Sequence, residues 1–143
     1  MKKDHKTYLV YFSFVIIIAL LVYIGVSLYG KNDSIDYTTQ FQTVSSGTTD
    51  PGDVSIELTP NFNKANLEVD IKSNTHSVDL SQFDLSQITI LEYDDTKIKP
   101  ISAPKLEGHH TSGTLIFPTN KNIRNFKIII SGIPKTSQRV FTW

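Results

Sequence analysis

The sequence predicts an all-β fold, an immunoglobulin-like antiparallel β-sandwich of about seven strands, preceded by one N-terminal transmembrane helix. Three observations lead to this prediction. Residues 7–30 contain no charged residue, residues 31–52 are rich in Ser, Thr, Gly and Asp, and from residue 53 onward apolar residues recur at every second position. The first pattern is typical of a membrane span, the second of a linker and the third of half-buried strands.

The charge-free run is long enough to cross a bilayer. As a helix, residues 7–30 would extend about 36 Å, against a hydrocarbon core of about 30 Å. Three lysines lie within residues 1–6, and this excess of positive charge places the N-terminal tip in the cytoplasm. The sequence therefore predicts a single-pass protein of the cell membrane that contacts the lipid bilayer through residues 7–30 and carries the rest of the chain outside the cytoplasm.

Two other interpretations of this segment are open. A cleaved signal peptide has a shorter apolar region, of about 7–15 residues, and ends at an Ala-x-Ala site. Here the best small-residue site, Gly25-Val26-Ser27, lies inside the apolar run. A pilin-like stem also begins with a long apolar helix, but no processing motif precedes this one. An uncleaved anchor is therefore favoured.

Composition limits what the rest of the chain can do. Past residue 30 there are 11 Lys and Arg against 13 Asp and Glu, a net charge of −2 with no basic cluster, so we expect no nucleic-acid partner. The chain has no cysteine, which excludes disulfides, thiol catalysis and cysteine-ligated zinc. Residues 53–143 suit one domain, which packing alone must stabilise.

Residues 31–52 are predicted to form a flexible polar linker. Ser and Thr dominate the tract, and Asp50-Pro51-Gly52 closes it with turn-forming residues. Such a tract has too few large apolar side chains to offset the entropy lost on ordering. The extracytoplasmic domain is therefore expected to begin at residue 53.

Short runs of alternating apolar residues predict the strands of this domain. Pro60-Asn61 is expected to break the first run and Pro118 to end a later one. Phe126, Ile128 and Ile130 predict a central strand because their run is almost continuously apolar. A β-barrel is the alternative arrangement. The runs are Val54–Leu58, Ala65–Ile71, Ile88–Tyr93, Lys97–Lys99, Thr114–Phe117, Phe126–Ile130 and Arg139–Trp143.

Two connections between strands are marked by aspartates. Asp94-Asp95 is a turn signal that would return the chain as a hairpin, with both carboxylates pointing apart into solvent. The segment Asp79–Gln87 is predicted to be a crossover loop or a single helical turn, in which Asp79 and Asp84 cap backbone groups.

Three histidines of the domain, His76, His109 and His110, are candidate metal ligands. Counting by twos along the preceding strand keeps Ser73 and Thr75 on the core face, so His76 is expected at the surface. The other two are expected in a loop just before the strand that begins at residue 114. Imidazoles on a β scaffold can hold copper or zinc, and three of them leave an open position on the metal. The alternative is that they cap turns and hydrogen-bond backbone groups.

Three blocks of the sequence are distinctive. They are Thr75-His76-Ser77-Val78-Asp79-Leu80, Gly108-His109-His110-x-x-Gly113-x-Leu115-x-Phe117-Pro118 and Arg139-x-Phe141-x-Trp143. Together they resemble a family of small, uncharacterised, membrane-anchored extracytoplasmic proteins of bacteria and archaea. The resemblance covers roughly residues 54–143. It implies the fold and the compartment rather than an activity, and it places the three histidines inside the distinctive blocks.

No catalytic signature accompanies these features. The sequence contains no nucleophile elbow, P-loop, His-Glu-x-x-His helix or Gly-x-Gly-x-x-Gly unit. It therefore favours a non-enzymatic module without a cofactor, displayed outside the membrane, that binds an envelope protein or supports an envelope assembly. The alternative is an envelope protein that binds copper or zinc through His76, His109 and His110.

Overall fold

The structure, a computed structural model, describes residues 5–29, 40–63 and 66–143. The N-terminal helix and the β domain belong to two separate units. Several predicted features lie partly outside the described residues. They are residues 1–4 of the tip, residue 30 of the span, residues 31–39 of the linker and Ala65 of the second strand.

The N-terminal unit is one helix, α1 (His5–Tyr29), of 25 residues. Its Ser13 hydroxyl donates to the Val10 carbonyl at 2.8 Å, so this polar group is satisfied within the helix. Side chains are described for Tyr8 and for residues 10–24, and all of them are exposed. Over the residues so described, no helix combines enough length and apolarity to cross a membrane. The helical conformation is confirmed, and membrane insertion stays a prediction.

The described residues of the β domain form eight strands in two antiparallel sheets. The strands are β1 (Val44–Ser46), β2 (Ser55–Asn63), β3 (Asn66–Asn74), β4 (Thr89–Tyr93), β5 (Thr96–Ile98), β6 (His110–Pro118), β7 (Lys127–Ser131) and β8 (Gln138–Thr142). One sheet has the order β1-β2-β3-β6 and the other β5-β4-β7-β8. A 3-10 turn, Leu80–Gln82, and a short helix, α2 (Leu85–Ile88), connect β3 to β4.

The inward faces of both sheets supply one hydrophobic core, as the alternating pattern predicts. Burying each Leu, Ile or Phe contributes about 2 kcal/mol, so this core is what holds the cysteine-free domain together. β7 pairs on both sides, with β4 and β8, which confirms its predicted central position. The largest fully buried side chains are Phe62, Phe117, Phe141, Ile56, Leu58, Leu67, Ile71, Leu80, Leu85, Leu91, Leu115 and Ile128.

The all-β class and the two antiparallel sheets are confirmed, but the strand order of the first sheet differs from that of an immunoglobulin constant domain. The consecutive strands β2 and β3 pair along their full length, and β6 lies on the other side of β3. The first sheet of an immunoglobulin constant domain instead has the order A-B-E-D, in a fold of about seven strands. The described part of this domain therefore has eight strands in total instead of about seven. Its first sheet also pairs its four strands in a different order.

The Asp94-Asp95 hairpin between β4 and β5 is confirmed. The two residues have positive φ values of 44° and 60°. This left-handed conformation is what a two-residue hairpin turn requires, and Asp tolerates it better than most residues. Both aspartates are exposed, and Lys121 Nζ lies 2.9 Å from Asp94 Oδ2. The hairpin turn is therefore exposed to solvent.

β2 continues through Pro60-Asn61, so the predicted break at these residues is wrong. Pro60 lies opposite Val69 of β3, and its carbonyl accepts a hydrogen bond from the Phe41 N–H at 2.9 Å. In an antiparallel strand, the N–H and C=O of one residue point to the same side. The missing proline N–H therefore faces the Phe41 segment, and the ladder between β2 and β3 loses no hydrogen bond.

The β domain begins before residue 53, so the predicted linker, residues 31–52, extends too far toward the C-terminus. β1 pairs with β2. Phe41 packs edge-on against Phe126, with 5.1 Å between the ring centroids, and Trp143 Nε1 donates to the Gln42 carbonyl at 2.7 Å. A few apolar contacts thus order a segment whose average composition is polar.

β6 begins at His110 and not at Thr114, so the loop position predicted for His110 is wrong. His110 lies opposite Asn74, the last residue of β3. The ladder continues through Gly113, a residue that the apolar pattern does not mark as part of a strand. His109 precedes the strand, as predicted.

The chain between β5 and β6 covers the outer edge of β6. Ile101 N donates to the Ile116 carbonyl at 2.8 Å, and Ile116 N donates to the Ser102 carbonyl at 2.9 Å. Pro104 lies so close to Gly113 that a Cβ there would overlap the proline ring. Over this stretch the strand edge is closed to pairing with another chain.

Candidate functional site

The predicted histidine ligands lie at one end of the first sheet, where β3 ends and β6 begins. Ser73 and Thr75 are buried and His76 is exposed, as the alternation predicts. The rings of His76 and His110 face each other edge to face, with 6.4 Å between their centroids and 82° between their planes. Two of the three predicted ligands are therefore neighbours.

Asn74 orients the ring of His110. The two residues are directly opposite in the ladder, and Asn74 Oδ1 lies 2.8 Å from His110 Nδ1. An amide oxygen can only accept a hydrogen bond, so this contact is satisfied by the tautomer of His110 that carries its proton on Nδ1. The other nitrogen, Nε2, is left for a different partner.

Thr75 fixes the turn that carries His76. Its buried hydroxyl donates to the Asp53 carbonyl at 2.8 Å and accepts a hydrogen bond from Val78 N at 3.2 Å. Its backbone N–H donates to the His109 carbonyl at 2.9 Å. Three separate segments are thereby joined beneath the histidines.

His109 is not part of the ring pair. The pKa of Asp79 is lowered mainly by its hydrogen bonds with Ser81, and the charge interaction with His109 is the smallest contribution to it. Across the described ranges, no group of three or more His, Asp or Glu side chains is placed to hold a metal ion. The structure thus brings together His76 and His110, and a copper or zinc site of all three histidines stays a prediction.

The connection from β3 to β4 consists of two turns with the same sequence, Asp79-Leu80-Ser81-Gln82 and Asp84-Leu85-Ser86-Gln87. In each, the aspartate Oδ1 accepts a hydrogen bond from the serine N–H, at 3.0 and 2.9 Å, and another from the serine hydroxyl at 2.6 Å. In each, the leucine is buried. The capping roles predicted for the two aspartates are confirmed, and the segment forms two consecutive helical turns instead of the predicted crossover loop or single turn.

These hydrogen bonds make both capping carboxyl groups more acidic. The hydroxyl and N–H of Ser81 lower the pKa of Asp79, and those of Ser86 lower the pKa of Asp84. Both aspartates are therefore ionised at neutral pH and engaged with the backbone. Each serine hydroxyl donates a hydrogen bond to its own capping carboxylate, and the lowered pKa of that carboxylate makes it a weak base for activating the hydroxyl.

A cleft of about 510 Å³ opens beside these turns. One wall is formed by the two turns with Phe83 between them, and the other by the segment before β6, including Pro104, Lys105 and Glu107. Phe83 is half-buried against the core, whereas Lys105 and Glu107 are exposed. The cleft therefore combines apolar surface with opposite charges on one wall.

The cleft was not predicted from the sequence. The repeated Asp-Leu-Ser-Gln unit is visible in the sequence and could have marked one wall. The residues of the other wall, 103–107, carry no pattern of their own, because only the path of the chain along β6 brings them there.

A part-buried ion pair, which was not predicted from the sequence, joins the segment just before β2 to β8. Arg139 Nη2 donates to Asp53 Oδ1 at 2.6 Å and to the Pro134 carbonyl at 2.9 Å. The two charged side chains are only 3% and 13% exposed. Gly47 lies directly against the guanidinium group.

The charge of Asp53 is stabilised in this position. Burial raises the pKa of Asp53, but hydrogen bonds from Arg139 and from the N–H groups of Val54 and Thr48 outweigh it and lower the pKa to about 2. The carboxylate is thus fully engaged in holding the fold. It is not available as an acid or a base.

Comparisons with protein-family models, with curated proteins and with solved structures found no match to this chain. Its function is therefore argued from the geometry.

Proposed function

We propose that the chain is a membrane-tethered extracytoplasmic module, an immunoglobulin-like sandwich in its two-sheet architecture, that binds an envelope protein and catalyses no reaction. In this proposal α1 is the tether, residues 7–30 lie in the lipid bilayer and residues 1–6 lie in the cytoplasm. The observation that carries the binding role is the cleft between the two Asp-capped turns and the segment before β6.

The character of α1 supports the tether. A helix of 25 residues is about 37 Å long, and residues 7–30 carry no charge. Every side chain described along it is exposed, from Tyr8 to Ile24, and most of them are apolar. Such a helix has no polar face to turn toward water, whereas hydrocarbon would surround it without cost.

The groups around the cleft favour binding over chemistry. The hydroxyls of Ser81 and Ser86 donate to their own capping aspartates, and Asp84 is committed to the backbone. Lys105 and Glu107 remain exposed on the opposite wall. A peptide segment with an apolar side chain flanked by charged ones would complement this surface.

The walls of the cleft are held in place before any partner arrives. Leu80 and Leu85 anchor the two turns in the core, and the hydrogen bonds of Ile101 and Ile116 fix the start of the opposite segment to β6. Binding to preorganised walls costs less conformational entropy than binding that must first order a loop. This rigidity suits recognition of a protein segment.

Photo-crosslinking of the full chain in its native membrane tests the binding role. A photoreactive amino acid replaces Gln82 or Lys105, one on each wall, and matched controls carry it at Lys72 or Gln138, which are exposed outside the cleft. We expect one discrete adduct from both wall positions and none from the controls. An excess of unmodified chain should compete the adduct away. Equal adducts at all four positions, or none from the walls, would refute the proposal.

A further inference from the structure

We propose that His76 and His110 form a two-histidine site for a divalent transition-metal ion, with Asn74 as the positioning residue for His110 and His109 outside the site. This inference does not depend on the cleft or on a protein partner.

The two rings are close to the spacing that a shared ion requires. When a metal lies about 2.1 Å from one nitrogen of each ring, the ring centroids are roughly 5 to 6 Å apart, depending on the angle at the metal. The centroids of His76 and His110 are 6.4 Å apart, and both residues are exposed. Exposed side chains reorient within nanoseconds, so rotation of the His76 ring can shorten this distance without backbone movement.

The backbone that carries both rings is fixed. His110 is held opposite Asn74 by the ladder of β3 and β6. The turn that carries His76 is tied through the buried Thr75 to Asp53. A pair of ligands on fixed backbone loses little entropy when it binds an ion.

Asn74 supplies the contact that ligating histidines usually make. A metal-bound imidazole normally donates its second ring N–H to a carboxylate or carbonyl oxygen, which fixes the tautomer and the ring orientation. Asn74 Oδ1 occupies that position at 2.8 Å from His110 Nδ1. The lone pair of Nε2 is then free to face the metal.

Ligation by two imidazole nitrogens indicates which metal ions the site would prefer. Imidazole nitrogen suits copper, nickel and zinc, and the general order of affinities places Cu(II) highest among them. Two protein ligands leave further positions for water or for a group from another molecule. The chain has no cysteine to compete for the ion, so Cu(II) is the most sensitive probe.

The site is tested by titrating the full chain in detergent micelles with Cu(II). Calorimetry measures the stoichiometry and the Kd, and the nitrogen hyperfine splitting in electron paramagnetic resonance reports the number of nitrogen ligands. Every protein carries His5→Ala, which removes the histidine outside the domain. We expect one Cu(II) per chain with two nitrogen ligands and a micromolar or tighter Kd. His76→Ala and His110→Ala should each weaken binding at least tenfold, and Asn74→Ala about tenfold. His109→Ala should leave the affinity unchanged.

The matched His109→Ala variant decides the outcome. If it weakens binding as much as His76→Ala or His110→Ala, or if none of the three changes the affinity, the two-histidine site is refuted. Because His76, His109 and His110 are all exposed, these substitutions should leave thermal unfolding unchanged. His76→Gln and His110→Gln serve as second variants if an alanine variant proves unstable. They should show the same loss of affinity, and unchanged binding in them would equally refute the site.

Discussion

Among the glycines that the structure describes in the β domain, Gly47 has the least space for a side chain. Its φ is +84°, and an added Cβ would overlap both the Val54 carbonyl oxygen and Arg139 Nη1. Gly47→Ala must therefore shift the Val54 backbone or the guanidinium that pairs with Asp53, and we expect it to lower the free energy of unfolding by more than about 2 kcal/mol. Gly108 is the matched control, because its φ is +64° and no atom lies within 4 Å of the added carbon.

Gly108→Ala introduces backbone strain alone, which costs about 1 kcal/mol. Urea unfolding of the two variants beside the parent chain measures both effects. Equal losses in the two variants would show that the contact with Arg139 is unimportant.

The Asp53 carboxyl group makes stability depend on acid pH. Its pKa is about 2 in the folded domain, below the value of about 3.9 in an unfolded chain. Its contribution, on the order of 2 kcal/mol, is therefore fully present above roughly pH 4 and is lost as the pH falls to about 2. Over pH 6 to pH 2, urea unfolding should show a smaller loss of stability in Asp53→Asn than in the parent, because among the described residues only Asp79 and Asp84, whose pKa values are also lowered, still contribute in the variant.

Asp95→Asn, in the exposed hairpin tip, is the control for the pH measurement and should keep the parent's pH dependence. An Asp53→Asn variant with the same slope as the parent would mean that another carboxyl group is responsible.

At the scale of single residues, the sequence predicts which side chains face the core, because side chains alternate between the two faces of a strand. The burial of Ser73 and Thr75 and the exposure of His76 follow from counting by twos. The pair of Asp53 and Arg139 could not be predicted in this way, because the two residues are separated by 86 positions. A charged residue in a strand gives no local sign that it is buried with a partner.

At the scale of elements, β1 and the segment before it are expected to stabilise the domain. A chain beginning at residue 40 keeps the packing of Phe41 on Phe126 and the hydrogen bond from Trp143 to Gln42, whereas one beginning at residue 53 loses them. We expect the shorter chain to be less stable by at least about 3 kcal/mol in urea unfolding, the usual cost of removing a large packed aromatic group.

Phe41→Ala in the longer chain is the informative control for this truncation, because it should reproduce a large share of the loss while Gln40→Ala should not. Equal stability of the two chains would support a boundary at residue 53 and contradict the role assigned to β1.

Elements with a strong local signal were predicted from the sequence. The Asp94-Asp95 hairpin, the capping by Asp79 and Asp84 and the central strand β7 each follow from neighbouring residues, whereas the division of residues 80–88 into two turns was not predicted. β1 was missed because a three-residue strand owes its order to β2 rather than to its own composition. The break predicted at Pro60 was wrong because the effect of a proline depends on which side of the strand its nitrogen faces.

At the scale of the whole molecule, the all-β class followed from the alternation, but the strand order and the cleft did not. Both depend on where distant segments meet. The turns at residues 80–87 meet the segment at residues 103–107 only because that segment runs along β6. In the same way, the sequence marked all three histidines as candidate ligands, whereas the approach of β3 and β6 selects His76 and His110 as the pair.

Display of the β domain outside the membrane by α1 is the property on which the proposed function depends. The chain has no cysteine, so a single introduced cysteine is its only thiol. Lys3→Cys reports on the N-terminal tip, and Ser137→Cys on an exposed turn before β8. Intact cells producing each variant are treated with a membrane-impermeant maleimide, and their membranes are then washed with alkaline carbonate.

We expect Ser137→Cys to be labelled in intact cells, Lys3→Cys to be labelled only after lysis, and both chains to stay with the washed membranes. Labelling of Lys3→Cys in intact cells with protection of Ser137→Cys, or release of the chain by carbonate, would contradict display of the β domain outside the membrane by α1.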